Sequence, residues 1–446
     1  MRLAVCPNSD KVLSRLLRRA ISALLQRFAT RCSGWLTPPR SPVPLLKPAN
    51  HQPSVPSNHE GMMSGKRSIF EEVGAEAKAS PPPQGGMIDG PRRGRTPVRY
   101  WLVAIFLLVA AMILVGGLTR LTDSGLSITE WKPLTGALPP LNDADWQAEF
   151  ARYQASPEYQ LQNSQMTLEG FKSIFWWEWG HRQMGRTIGM VWALGFAFFW
   201  ATGRIPAGWT GRLLGLGALG GLQGLIGWWM VSSGLSGRMV DVASYRLATH
   251  LGLAFVILGL TGWYILSLAR PEGWLLQARR SQEPKLFSLS TGLMHATFLQ
   301  ILLGALVAGI DAGRAFPTWP LMGENFFPAD AFYVPDGGGL WRAFFENPGL
   351  VQFLHRMMGY LVLAFGIVVW LKGHRSVHPR TKAAFDLVGA MLLVQVVLGI
   401  FTVLYAAPLH LGLAHQAGAI VLFILILRAR HRALYPIVTS LRGQNQ

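Results

Sequence analysis

The chain has 446 residues, half of them hydrophobic and only 14% charged, with a formal net charge of +18 and a mean hydropathy of +0.28. A charged fraction so far below the ~25% of an average soluble domain argues against an ordinary globular enzyme and points to a bilayer. Nor does the basic excess mark a nucleic-acid surface, because the first hundred residues alone hold about sixteen Lys/Arg against six Asp/Glu.

Residues 1–98 read as a basic, largely disordered extension. Within it, Arg15–Arg31 is amphipathic, rich in arginine and free of acids, which is the composition of a mitochondrial targeting peptide. A start codon placed too early in a bacterial gene explains it equally well, with Met62 or Met63 as the true start, and residues 1–61 are expected to be dispensable. Residues 80–97 are rich in Pro, Gly and Arg and are expected to be a flexible linker. The only cysteines are Cys6 and Cys32, and there is no CxxCH for covalent haem attachment.

Eight apolar runs follow, near 100–119, 184–203, 211–231, 247–268, 287–310, 352–371, 383–405 and 411–427. Each is continuous rather than alternating, so membrane helices are expected and a barrel is not. The last is close to the lower length limit of ~17 residues. Basic residues concentrate in the loops after the second, fourth and sixth runs and after the eighth. By the positive-inside rule both termini face the cytoplasm, or the matrix of a mitochondrion.

The core repeats itself. Gly116, Asp123, Gly125 and Trp131 match Gly304, Asp311, Gly313 and Trp319 at a spacing of 188. His181, Arg182 and Gly185 match His355, Arg356 and Gly359 at 174; Gln223 and Gly227 match Gln395 and Gly399 at 172; His250 matches His415 at 165. Four spans per half give both halves the same orientation. The expected fold is an all-α integral membrane protein of two pseudo-twofold-related four-helix bundles, 99–270 and 271–432, with a cytoplasmic tail at 433–446.

His181, His250, His355 and His415 all fall at or near the outer start of an even-numbered span. An imidazole in lipid is costly unless it is paired or ligates something. Four of them at repeat-equivalent places suggest two sites, each taking two axial imidazoles, as b-type haem does. His295, inside the fifth run, is expected to be a buried hydrogen-bonding group, and His410 an interfacial one. His374, His378 and His431 lie in basic inner segments.

Glu178 is the sharpest asymmetry: it precedes His181 by one helical turn, while the equivalent position before His355 is Gln352. A carboxyl beside one site only makes the first half the better candidate for chemistry and the second for electron transfer. The alternative is a surface acid that pairs with Arg182 or caps a helix. Arg182 and Arg356 are placed to neutralise haem propionates, or to act as interfacial anchors. Arg120, Arg238, Arg246 and Arg342 carry the same two readings. Trp131, Trp176, Trp177, Trp179, Trp228, Trp229 and Trp319 are expected in the aromatic belt. Gly215, Gly217, Gly220, Gly221, Gly224 and Gly227 give the third span a surface that a helix or a flat macrocycle can approach closely.

The segments GGLTRLTDSGLSITEWKP (116–133), EWGHRQMGR (178–186), RLATHLGLA (246–254), FLHRMMGY (353–360) and LAHQAGA (413–419) closely resemble the haem A synthase family. The resemblance covers roughly residues 68–430, and the IFEEVG run at 69–74 resembles the start of alphaproteobacterial members. It implies conversion of a methyl group of haem O to a formyl group, through successive hydroxylations and loss of water from a geminal diol. By that resemblance Glu178, His181 and His250 belong to the substrate-haem bundle, and His355 and His415 to the bundle that retains haem b. The implied partners are haem O synthase, cytochrome oxidase assembly factors and a membrane electron-transfer partner of unidentified kind, with no nucleic acid; a homo-oligomer stays open. The implied location is the bacterial inner membrane, with the mitochondrial inner membrane as the alternative. Some bacterial members carry a cysteine pair in the first outer loop; none occurs here at 120–180, so no thiol step applies. Two other readings compete: a bis-histidine cytochrome b that only transfers electrons, and a transporter, whose spans should break at the midplane.

Overall fold

The computed structural model describes residues 94–437 except 134, 236–240 and 335–338. Arg15–Arg31, both cysteines, the IFEEVG run, Arg238, nearly all of the expected linker and most of the tail lie outside the described residues. Among those described, eight helices are long and apolar enough to cross a membrane. They are α1 (Arg95–Leu121), α2 (Leu168–Ala201), α3 (Thr210–Val231), α4 (Ser244–Leu268), α5 (Pro284–Gly309), α6 (Pro348–Gly373), α7 (Pro379–Leu404) and α8 (Leu409–Leu434). The only strand-like pairing among the described residues is an isolated bridge between Met322 and Asn325.

Several helices start or stop away from the edges of the apolar runs, for local reasons. α5, α6 and α7 each begin with a proline, whose missing N–H is one of the first-turn donors that have no helical partner. Asn347 caps α6 by accepting from the Leu350 N–H at 2.8 Å. α2 starts at Leu168, well before the apolar run at 184, because Thr167 caps it and Phe171 and Phe175 give the extra turns an apolar side. That side is covered by Trp146, Phe150 and Tyr153 of the Asp143–Gln154 helix, which folds back over it. α8 runs 26 residues, through the basic segment to Leu434, and so exceeds the short span expected from hydropathy.

Neighbour relations close each half on itself. α1 packs on α2 and α4, and α3 on α2 and α4; α5 packs on α6 and α8, and α7 on α6 and α8. The halves meet along α1, α4, α5 and α8. Val98, Leu102, Ile105, Val109 and Ile113 form one buried stripe at helical spacing on α1, in a cluster that includes Phe255 and Leu258 of α4 and Phe423 of α8. A second cluster joins Leu293, Val362, Phe385, Val388, Leu422 and Ile426. Outward apolar side chains such as Leu107, Leu194 and Phe198 stay exposed, as lipid-facing residues do.

One end of the bundle is tied by cations. Arg95 donates to the carbonyls of Ser267 (3.0 Å) and Arg270 (2.9 Å), and Arg270 donates to Tyr435 O at 2.7 Å. The start of α1 and the ends of α4 and α8 therefore share one basic face. The opposite end carries the tight turns after α1 and α5. There Asp123 (φ 48°) and Asp311 (φ 50°) adopt the left-handed conformation that aspartate tolerates better than most residues. Arg120 binds both, at 2.5 and 2.8 Å, and so joins the two halves.

Candidate functional site

The four histidines lie on the even helices, and each ring crosses the backbone of the odd helix before it at a glycine. A Cβ on Gly116 would sit 2.9 Å from His181 Cε1, and one on Gly227 2.9 Å from His250 Cε1. For Gly304 with His355 and Gly399 with His415 the distance is 3.0 Å. Only glycine leaves room for an imidazole so close to a helix, and the same device occurs four times. His181 lies thirteen residues inside α2, about 20 Å from its start, and not at a helix end.

The ring centres of His355 and His415 lie 6.4 Å apart, with their planes at 83°. Imidazole nitrogen bonds a transition metal at about 2 Å, and the ring centre lies about 1 Å beyond, so two trans ligands of one metal have centres about 6 Å apart. His181 and His250 are within electrostatic reach of each other. Nδ1 of His181 and of His355 is buried with no hydrogen-bond partner. Among the described residues there is no group of three or more His, Cys, Asp or Glu that would hold a bare metal ion. Pairs of imidazoles with orphaned nitrogens and a glycine-lined slot fit haem, whose porphyrin supplies the other ligands.

Glutamines complete three of the four imidazole sites. Gln223 Nε2 lies 3.2 Å from His250 Nδ1 and donates to His250 O at 3.0 Å. Gln300 Nε2 lies 3.3 Å from His355 Nε2 and donates to His355 O at 3.0 Å. Gln395 Nε2 lies 3.2 Å from His415 Nδ1 and donates to His415 O at 2.8 Å. Sequence reading found Gln223 and Gln395 only as repeat markers and missed Gln300. The signal available was a glutamine four residues before three of the four histidine-facing glycines.

Glu178 is buried at 3% exposure, and its carboxyl is fully engaged. Oε1 accepts from Arg182 Nε (3.1 Å) and Nη2 (2.7 Å); Oε2 accepts from Ser127 Oγ (2.8 Å) and the Ile128 N–H (2.7 Å). It is not a surface acid, although it does pair with Arg182. Gln352 is equally buried; it donates to Phe316 O at 3.4 Å and accepts from Arg356 Nη2 at 3.2 Å. Arg182 also donates to Ile128 O and Glu130 O, and Arg356 to Phe316 O and Leu321 O. Both guanidiniums thus hold a neighbouring loop against their helix.

Other expectations resolve individually. Arg246 donates to Trp229 O at 2.7 Å and stacks 4.7 Å over that ring, while Arg342 pairs with Glu346. His295 is exposed on α5 and not buried; its Nδ1 sits 2.8 Å from Thr291 O. His410 lines an open pocket with Phe401, Tyr405, Pro408 and Leu411. Trp131 stacks on Trp228 at 5.8 Å, and Trp176 and Trp179 pack edge to face, so these rings also pack against one another. Of the glycines on α3, Gly217 meets Trp192 and Gly227 meets His250, whereas Gly215, Gly220, Gly221 and Gly224 face open space.

Sequence reading also missed Glu158, on the short helix Pro157–Leu161. It is 3% exposed, with Oε2 buried and unpartnered, and it lines a small cavity with Arg120, Asp123 and Asp241. Burial pushes its carboxyl up to about 8, with Asp241, Glu178 and Asp123 adding to the shift and Arg120 opposing it.

The eight long apolar helices define a multi-pass membrane protein with two pairs of imidazoles among its helices. The COX15-CtaA family, described as cytochrome oxidase assembly protein, matches residues 99–427, and the chain belongs to it. Proteins named haem A synthase are similar over most of their length. That of Paracoccus denitrificans is 61% identical over 379 residues, covering 85% of this chain and 99% of the relative. That of Roseobacter denitrificans is 59% identical over 384 residues, 85% of this chain and all of the relative. That of Cereibacter sphaeroides is 62% identical over 387 residues, 84% and 98%.

Proposed function

We propose that this chain is a haem A synthase that oxidises a methyl group of haem O to a formyl group. Haem O binds in the first half (99–270) between His181 and His250, and a resident haem b binds in the second half (271–432) between His355 and His415. The observation that carries this reading is the fourfold glycine–imidazole contact, with the second pair of rings spaced for one metal between them. The relatives' names and the family membership support the choice of reaction. When bound, haem supplies a redox-active iron in each half.

The chain's own residues bind, orient and enclose. The imidazoles would hold each haem by its iron, and the facing glycines give each imidazole room against the neighbouring helix. Glu178 places a carboxyl one turn from His181, where the second half has only the amide of Gln352. That difference is why the first half is assigned the chemistry. Arg182 and Arg356 hold the covering loops through backbone carbonyls. The Asp143–Gln154 helix and its aromatic partners shield the outer side of the first half from water. The basic face lies in the cytoplasm of a bacterial inner membrane, and product passes on to oxidase assembly.

Pigments extracted from cells expressing this chain together with haem O synthase test the proposal. Haem A is expected; a chain that accumulates normally yet leaves only haem B and haem O is a membrane cytochrome b and not this enzyme.

A further inference from the structure

Near its end α8 carries Arg428, Arg430 and Arg432, which the repeat does not copy. At the 165 offset that joins His250 to His415, the matching residues of α4 are Trp263, Ile265 and Ser267. Arg430 is used up inside the protein: its Nε donates to Thr291 Oγ1 at 2.8 Å, and its guanidinium stacks 4.8 Å over Trp263 and 4.3 Å over Phe287. The side chains of Arg428 and Arg432 have no hydrogen bond or ion pair among the described residues. Arg428 is exposed and Arg432 half-buried. They lie four residues apart on one side of α8, where like charges repel.

Two more guanidiniums converge on Arg432. Arg270, just past the end of α4, and Arg380, at the start of α7, both lie within its electrostatic reach. Arg270 gives one nitrogen to Tyr435 O at 2.7 Å, and Arg380 is exposed. His431 is 3% exposed with Nε2 unpartnered; it lies within reach of Arg270, Arg430 and Arg432 and brings no negative charge. The acids of these segments are engaged elsewhere. Glu272 faces Arg95, Glu283 accepts from Ser376 Oγ at 2.7 Å, and Asp386 accepts from Trp370 Nε1 at 3.0 Å and pairs with His374. Four guanidiniums thus gather without a carboxylate to pair them.

We propose that Arg270, Arg380, Arg428 and Arg432 form a binding site for the phosphate headgroup of an anionic phospholipid. The planar fork of a guanidinium matches phosphate oxygens two at a time, and it sheds water more readily than an ammonium does. Basic pockets between helices on the cytoplasmic side take such headgroups, and this end of the bundle is the cytoplasmic one in the orientation given above. The occupant is a lipid and not a soluble anion because the same side of α8 continues as apolar surface. Val421 is 47% exposed and lies seven residues before Arg428, about 10 Å deeper along the helix. A phosphate held by the arginines puts acyl chains along that surface. One bound lipid then ties the end of α4, in the first half, to α7 and α8 in the second. The site is separate from the imidazole pairs and does not depend on the haem reading.

The test is the association of spin-labelled phosphatidylglycerol, compared with spin-labelled phosphatidylcholine, with the haem-loaded chain in phosphatidylcholine vesicles. The unsubstituted chain should prefer phosphatidylglycerol by at least about fivefold, which is what a single cation near the surface contributes. Arg428→Gln combined with Arg432→Gln should remove most of that preference at unchanged haem content. Arg279→Gln combined with Arg280→Gln, two exposed arginines at the same end of the bundle, should leave it unchanged. If both pairs lower it equally, the end of the bundle is a diffuse basic surface and the proposal falls. It also falls if the unsubstituted chain shows no preference. Displacement of the labelled lipid by millimolar inorganic phosphate, beyond that by chloride of equal ionic strength, would make this a free-phosphate site and overturn the lipid assignment. Should the Arg428/Arg432 variant fail to accumulate, Arg380→Gln at its exposed position decides: a lowered preference supports the site, and an unchanged one overturns it.

Discussion

Arg182 and Arg356 hold the same loop position in the two halves: Arg182 Nη2 donates to Ile128 O at 2.7 Å, and Arg356 Nη2 donates to Phe316 O at 2.8 Å. Beside this shared contact the side-chain acceptor differs. Glu178 gives Arg182 a carboxylate at 2.7 Å, and Gln352 gives Arg356 an amide oxygen at 3.2 Å. The repeat therefore keeps this loop contact while the group one turn before the imidazole changes from carboxylate to amide.

Replacing Glu178 by Gln separates scaffold from chemistry. Glutamine is already accommodated at position 352, so the variant should accumulate and load haem. If the carboxyl handles protons or charge in the oxidation, the ratio of haem A to haem O should fall by about 10²-fold or more. Normal haem A output at normal protein level would leave Glu178 as a loop anchor only.

Gly304→Val tests the slot. A Cβ alone would already be 3.0 Å from His355 Cε1, and valine adds two methyl groups where the ring lies. Overpacking of this kind costs about 1–3 kcal/mol. The haem-to-protein ratio of the purified variant should drop by about half, with the second haem lost. Full occupancy with an unshifted spectrum would show that the imidazole need not lie where it does.

Glu158 makes the stability of the fold sensitive to pH. Its carboxyl is raised from an ordinary 4.5 to about 8, so the folded state binds a proton more tightly than the unfolded chain. The stability this contributes is complete below about pH 4.5 and is lost as pH rises through about 8. Thermal unfolding in detergent should therefore give a lower Tm at pH 9 than at pH 6, and Glu158→Gln should flatten the difference. An equal pH dependence in the variant would assign the effect to other groups.

Arg120 joins the turns that end α1 and α5 through Asp123 and Asp311. Its side chain is 11% exposed, but both carboxylates are open to solvent, so the loss in Arg120→Ala is moderate, about 1–3 kcal/mol. Asp311→Asn should cost less, because Asp123 remains. Equal Tm values for Arg120→Ala and the unsubstituted chain would remove this tie between the halves.

Much of the architecture was legible because it is written in spacing. The eight apolar runs, the 188 and 174 offsets and the four histidines need only the sequence. What escaped depends on tertiary contact. The outer turns of α2 are amphipathic, so hydropathy does not see them; the helix at Asp143–Gln154 is what buries Phe171 and Phe175. Glu158 looks like a loop acid until Arg120, Asp123 and Asp241 close around it. Gln300 was invisible because the repeat offset leads from it to Met112, a residue of different chemistry that nonetheless fills the same volume.

The most direct test of the account is the optical and electron paramagnetic resonance spectrum of purified His355→Ala. The account assigns His355 and His415 to one haem b, so the variant should lose that low-spin haem or convert it to a high-spin form while the protein still accumulates in the membrane. An unchanged low-spin haem b spectrum at unchanged haem content would contradict it.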